Sequence, residues 1–428
     1  MKRSNHFIGR ISQTAACPQS NIVGLANPAY FNSLEMLRSV FRVIIVSLVF
    51  VASPVAAQKK QLKEARTYIK KNNSLDKAEK LMTDLLKDSA NRQNPKIYQT
   101  WFEAVEKQYD QGNEKLYLKQ QYDTATLFNN ALRMFPILET LDSIDSEHKY
   151  RKANSQRLNG YRTNIYFGGT FFTKKQQYDK AFPYFDTYID CIRQPLFEQY
   201  RYAETDTLMR SAAYWATFCG YRLNDADKTL KYAEMALPDS ARKPFVLQYM
   251  AEAYRWKGDT ANYLSLLKKG FALNPKFSYF FPRIVDYYTE SDQPDSVLAY
   301  SNEALKTDSA SELFLYAKST ALLNLGKYDE CIAVSDTIIA HNDSLPDPYY
   351  NAGTAWLNKA FKTSQQKKSR NNKNKLKKQY TMARPYIERY RELAPDQKQK
   401  WAPALYRIYL NLNMGKKFEE IDKILTAD

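Results

Sequence analysis

Leu247, Phe281, Leu315 and Tyr349 stand 34 residues apart, and two more series keep the same step: Ala251, Val285, Ser319 and Gly353, then Tyr254, Tyr288, Leu322 and Trp356. Large, small and large side chains thus recur at i, i+4 and i+7, the spacing of one helical face. A second helix in each unit repeats Gly270, Ala304 and Ile338, followed each time by an apolar neighbour, Phe271, Leu305 and Ile339. Between the helices, Gly258-Asp259 and Gly326-Lys327-Tyr328 supply the residues of a tight reversal. A fixed period of this length specifies stacked two-helix units, none of which buries its apolar face alone.

The pattern resembles the tetratricopeptide repeat (TPR) family, in which helix A carries an aromatic, Leu-Gly and Tyr, and helix B carries Ala-x-x-x-Phe and a closing Pro. Tyr349-x-x-Ala352-Gly353-x-x-Trp356 matches helix A, Ala181-x-x-x-Phe185 matches helix B, and Pro275 closes its repeat. The resemblance implies an all-α fold, a TPR-like right-handed α-solenoid of about eight helix pairs. Gly169, Phe172, Tyr178, Ala181 and Phe185 mark one divergent repeat near 162–194; Tyr214, Tyr221 and Ala236-Leu237 mark another near 210–243. A 48-residue step separates these two, and Thr217 and Gly220 depart from the helix-A pattern. Asp179 and Thr381 read as N-caps that place Pro183 and Pro385 in the first turn of a B helix.

Composition agrees with helices joined by short turns: 12 Gly and 17 Pro in 428 residues leave little for β-turns or phosphate loops. No G-x-x-x-x-G-K-[ST] or G-x-G-x-x-G segment occurs. Residues 36–57 have the charged start, the apolar run from Val43 and the small-residue end, Val55-Ala56-Ala57, of a secretory signal. Met36 is then the expected true start, with 1–35 an upstream extension, and cleavage leaves Gln58 first in a periplasmic or secreted protein without a retained membrane anchor. The remainder divides into degenerate helical repeats (58–160), divergent repeats (161–243), regular repeats (244–397) with an insertion at 361–379, and a capping helix pair (398–428). Cys191, Cys219 and Cys331 lie in apolar helical patterns and read as buried packing residues rather than a disulfide framework.

Two features carry the functional expectation. The resemblance implies that the face of helix A turned away from the periodic packing residues lines a concave groove, which in this register holds Gln248, Glu252, Arg255, Asp286, Tyr316, Thr320, Asn324, Tyr350 and Asn358. This mixture suits an extended segment or a helix of a partner protein. Chaperone-binding members of the family clamp a terminal carboxylate with Lys and Asn; Glu252 and Asp286 would repel one, so a chaperone tail is not the expected ligand. The second feature is the insertion, with Lys362, Lys367, Lys368, Arg370, Lys373, Lys375, Lys377 and Lys378 and no acidic residue, in a chain of net charge +17. It reads either as a mobile solubilising loop or as a contact to anionic lipid, glycan or acidic protein. It lacks aromatics for stacking on bases, so nucleic acid is not an expected partner.

Beyond the signal, the only histidines, His148 and His341, stand apart from cysteines and from each other. No catalytic residue, metal or cofactor is assigned, and the expectation is a non-enzymatic scaffold or adaptor of the cell envelope. N-terminal sequencing of the exported protein should return Gln58 first. An intact Met1 on cytosolic protein would overturn the export reading.

Overall fold

A computed structural model describes residues 57–367 and 369–426. The segments read from the sequence as an upstream extension and a signal lie, up to residue 56, outside the described residues. Helices follow one another as antiparallel pairs: α1 (57–70) with α2 (Leu75–Leu85), α3 (Pro95–Tyr117) with α4 (Thr124–Ile144), and α5 (Arg151–Lys174) with α6 (Tyr178–Asp190). After a short α7 (Tyr202–Thr205), α8 (Met209–Arg222) pairs with a divided helix B, α9 (Ala226–Lys231) and α10 (Ala233–Ala236). Five regular pairs complete the chain: α11 (Lys243–Trp256) with α12 (Thr260–Leu273), α13 (Phe280–Glu290) with α14 (Pro294–Thr307), α15 (Glu312–Asn324) with α16 (Tyr328–His341), α17 (Pro346–Ser364) with α18 (Arg370–Leu393), and α19 (Lys398–Asn411) with α20 (Gly415–Thr426). The paired helices pack on their neighbours in sequence, and several helices A also touch the next one, as α8 does α11 and α15 does α17. The result is an all-α, TPR-like solenoid of nine pairs among the described residues, one more than the periodicity revealed, because α1 carries no repeat signature.

Small residues set the spacing of the stack. A Cβ on Gly270 would meet the Phe280 ring at 2.2 Å, one on Gly169 the Phe185 ring at 2.7 Å, and one on Gly353 the Ile387 Cδ1 at 2.4 Å. Gly220, which looked like a departure from the pattern, makes the closest backbone approach: its Cβ would lie 2.4 Å from the Thr229 nitrogen. Helix B runs directly over Gly220 and is broken at Tyr232 (φ −125°), so a small residue replaces the large one found there in other repeats.

The turn from helix A to helix B extends the register upstream. Asn224, Gly258, Asp292 and Gly326, spaced by 34, all have left-handed φ, between 51° and 71°. Asn and Asp tolerate this conformation better than most residues, so the glycines mark only every second turn. At position 360 the series stops, because α17 continues as helix to Ser364.

The basic insertion is therefore helical, not a loop: it lengthens α17 at its C-terminus and α18 at its N-terminus. Thr381 is consequently no N-cap. Ser369 caps α18, accepting from the Asn372 N–H at 3.1 Å, and Pro385 lies mid-helix on the solvent side, where water can satisfy the freed Thr381 carbonyl. In α6 the cap position is Gln177, Asp179 falls inside the first turn, and Pro183 sits beyond that turn, again exposed.

The 48-residue step is filled by 191–208, which folds over a buried arginine. Arg162 is held between the Tyr188 and Tyr202 rings, each 3.8 Å away, pairs with Asp206 at 2.6 Å and donates to the Tyr188 carbonyl at 3.1 Å. Leu196 and Phe197 of the same segment are buried in the continuous core. The three cysteines are free and buried, and burial pushes the Cys191 and Cys219 thiols up to about 12 and Cys331 to about 11, so they remain protonated packing groups.

Burial, with a smaller push from Asp190, raises the Glu139 carboxyl from its ordinary 4.5 to about 7. The folded protein keeps a proton that the unfolded chain loses near 4.5, so stability should fall as pH rises from there to about 7 and level off above, by about 1–3 kcal/mol. Glu139→Gln should flatten this part of the pH dependence of melting; an unchanged slope would refute it. Gly353→Leu should overpack the array and cost about 1–3 kcal/mol. Gly220→Ala should lower melting more than Gly353→Ala, since backbone at Thr229 yields less than the Ile387 side-chain tip; the reverse order would contradict the packing described.

Candidate functional site

Positions 248, 252 and 255 of α11 recur 34 residues on in α13 and again in α15, so the helix-A face is built from equivalent residues of successive helices. The nine residues expected there fall into different settings. Glu252 is buried rather than presented to the groove: its carboxylate accepts from Arg255 Nε at 2.7 Å and from the Tyr279 hydroxyl at 2.9 Å, and Arg283 Nε lies 3.5 Å away. The Arg283 guanidinium in turn lies over the Tyr279 ring at 3.9 Å. A buried carboxylate needs such partners, because unpaired charge in a low dielectric is costly. The hydrogen bond to Glu252 holds the exposed Arg255 above its usual pKa, and burial, reinforced by the Glu252 charge, pushes the Tyr279 hydroxyl up. Glu252 thus joins α11 to the α13 entry, and Arg255 is paired with it instead of standing free.

Tyr350 is also largely a packing residue. Its ring lies 5.1 Å from Tyr390, with the Lys400 ammonium 5.5 Å above it, so it links α17, α18 and α19. Gln248 and Asn358 are half-buried on α11 and α17.

Asp286, Tyr316, Thr320 and Asn324 are brought together. They line a cavity of about 200 Å³ between α13 and α15, whose apolar walls include Phe281, Val285, Val297 and Ala317. Tyr316 (37% exposed) and Leu313 (47% exposed) stand at its side. Thr320 is positioned by the buried Asn351, whose Nδ2 donates to it at 3.1 Å and to Ser319 Oγ at 2.7 Å. Asp286 and the left-handed Asp292 sit at the mouth, exposed, and neither enters an ion pair among the described residues.

Tyr214 and Tyr221, read from the sequence only as markers of a divergent repeat, belong with Phe218 to this face. The three lie on α8, 34 residues before Gln248, Glu252 and Arg255. Tyr221 stacks between Tyr249 (4.4 Å) and Trp256 (5.9 Å), and Phe218 lies 5.8 Å from Tyr249. The exposed Arg222 rests over Tyr178 and Phe218 at 4.8 and 5.7 Å. The helix-A face therefore passes from an aromatic shelf on α8, across the Glu252 cluster, to the acidic-mouthed cavity.

The basic residues lie elsewhere, on the α17–α18 hairpin. Lys367, Arg370, Lys373, Lys375, Lys377 and Lys378 are exposed, Lys362 sits over the Tyr328 ring at 4.7 Å, and Lys368 is outside the described residues.

No family model and no curated protein matches the chain. Among solved structures it is similar to the C-terminal part of a TPR repeat-containing protein from Cytophaga hutchinsonii, at 14% identity and a TM-score of 0.42, over 61% of this chain and 94% of that one. It is also similar to yeast Tom70, at 11% identity and a TM-score of 0.30 over 86% and 90%, and to the TPR2AB domain of yeast Sti1 in complex with pHSP90, at 11% and 0.24 over 60% and 99%.

Proposed function

We propose that this TPR-like solenoid is a non-enzymatic adaptor of the cell envelope that holds a segment of a partner protein along its helix-A face. The observation that carries the reading is the α13–α15 cavity, sized for one side chain, apolar inside and acidic at its mouth. Burying a Leu- or Phe-sized anchor there contributes about 1.5–3 kcal/mol, enough to fix the register of a segment whose other contacts are polar. The unpaired Asp286 and Asp292 favour a basic residue beside that anchor and disfavour a terminal carboxylate. The half-buried aromatic shelf on α8 extends the contact line, since Tyr and Trp offer large area with a polar tip. The signal-like segment at 36–57 supports placing this activity in the envelope.

The test is a photo-crosslinker at Tyr316 in the native host, with one at Asp336 on helix B as control. A defined protein should crosslink from Tyr316 alone, and Asp286→Lys should weaken its capture at least about tenfold with melting unchanged. Arg255→Ala should instead lower melting, because it strips a partner from the buried Glu252. Equal crosslinking from both positions, or capture indifferent to Asp286→Lys, would refute the groove.

A further inference from the structure

We infer that the α17–α18 hairpin is a docking element for an anionic phospholipid surface, independent of the helix-A groove. Its length sets it apart: α17 has 19 residues against 13 in α15, and α18 has 24 against 14 in α16. Six added residues of helix carry the tip about 9 Å past the edge formed by the neighbouring turns. A projecting tip meets a flat partner before the body of the solenoid does, whereas a segment lying in the groove would not touch it.

The charge of the hairpin is one-sided. From Pro348 to Ile387 there is no acidic residue, and Lys367, Arg370, Lys373, Lys375, Lys377 and Lys378 enter no ion pair among the described residues. Around α18, Gln379 and Tyr380 are buried and Leu376 is half-buried against α17, while Arg370, Lys373 and Lys377 flank one side of the outward face and Lys375 and Lys378 the other. This breadth, and the dominance of lysine, suit a diffuse field of headgroups; recognition of single carboxylates favours the bidentate fork of arginine. Apolar groups accompany the charge: Phe361 on α17 is 55% exposed and Met382 on α18 is 39% exposed. Lysines around exposed apolar side chains are the composition of an interfacial element, with charge attracting the surface and the apolar groups entering its outer layer.

Co-sedimentation of the full chain with phosphatidylcholine vesicles, with and without phosphatidylglycerol, tests this. The apolar segment before residue 58 is common to every variant, so the difference between the two vesicle types is the readout. The chain should sediment with the phosphatidylglycerol vesicles in preference, and added salt should release it. Joint Lys373→Gln, Lys375→Gln, Lys377→Gln and Lys378→Gln should cut that preference at least about tenfold while circular-dichroism melting stays unchanged. Phe361→Trp should add a blue-shifted emission component on phosphatidylglycerol vesicles only. Equal sedimentation with both vesicle types, or a preference undiminished in the quadruple variant, would overturn the proposal. Retention by immobilised polyglutamate without vesicle binding would overturn it in favour of an acidic polypeptide. Because the four substituted lysines all lie on α18, a helix B, failure here leaves the groove reading standing, and failure of the groove leaves this one standing.

Discussion

The structure depends on small residues at the points where helices approach most closely. Gly169 beneath Phe185, Gly270 beneath Phe280 and Gly353 beneath Ile387 each bring two helices to a distance that leaves no room for an added methyl group unless the facing side chain shifts. These contacts are what make the two-helix unit stackable, and the stack in turn covers the apolar face that each unit leaves open. Buried side chains from Tyr98 to Ala321 form one continuous core, and the smaller clusters at either end and around Leu322, Cys331, Ile332 and Ala355 are each shared between neighbouring pairs. A substitution at one crossing is therefore felt by the pairs on both sides.

Departures from the period have local physical causes. The step from α5 to α8 is long because 191–208 is folded back and secured by Arg162, whose charge is met by Asp206 and whose flat faces are covered by two tyrosines. A buried cation of this kind adds little net stability over an apolar substitute, but leaving it unpaired is costly, so it fixes one arrangement of the segment. The hairpin is the opposite kind of departure. There position 360, in register with the left-handed residues that end earlier helices A, is still helical, and both helices run on toward solvent, carried mainly by lysines and asparagines.

The polar residues of the helix-A face separate by the same logic. Glu252 and Arg255 are drawn together because the carboxylate is buried and needs a donor, whereas Asp286 faces the cavity mouth and remains available. Equivalent positions in successive repeats thus have unequal roles, one structural and one open to a ligand.

The sequence alone determined the helical class, the 34-residue register, the helix-A face and the basic stretch, because each is a matter of periodicity or composition along the chain. It put Asp286, Tyr316, Thr320 and Asn324 on one face, and they do share one cavity. It could not show that Glu252 is buried, because that follows from Tyr279 and Arg283 arriving from the next repeat. Asn224 and Asp292 gave no turn signal either, as Asn and Asp tolerate a left-handed backbone but, unlike glycine, are common in many other settings. The insertion is the clearest case: its polar composition permits loop or helix, and what decided between them was the register of α17 against α18, which begins at Gly353 and Ile387 and carries helical geometry outward past the core. Long-range contact, not local propensity, settles such positions, because a helix already held at one end extends without having to nucleate.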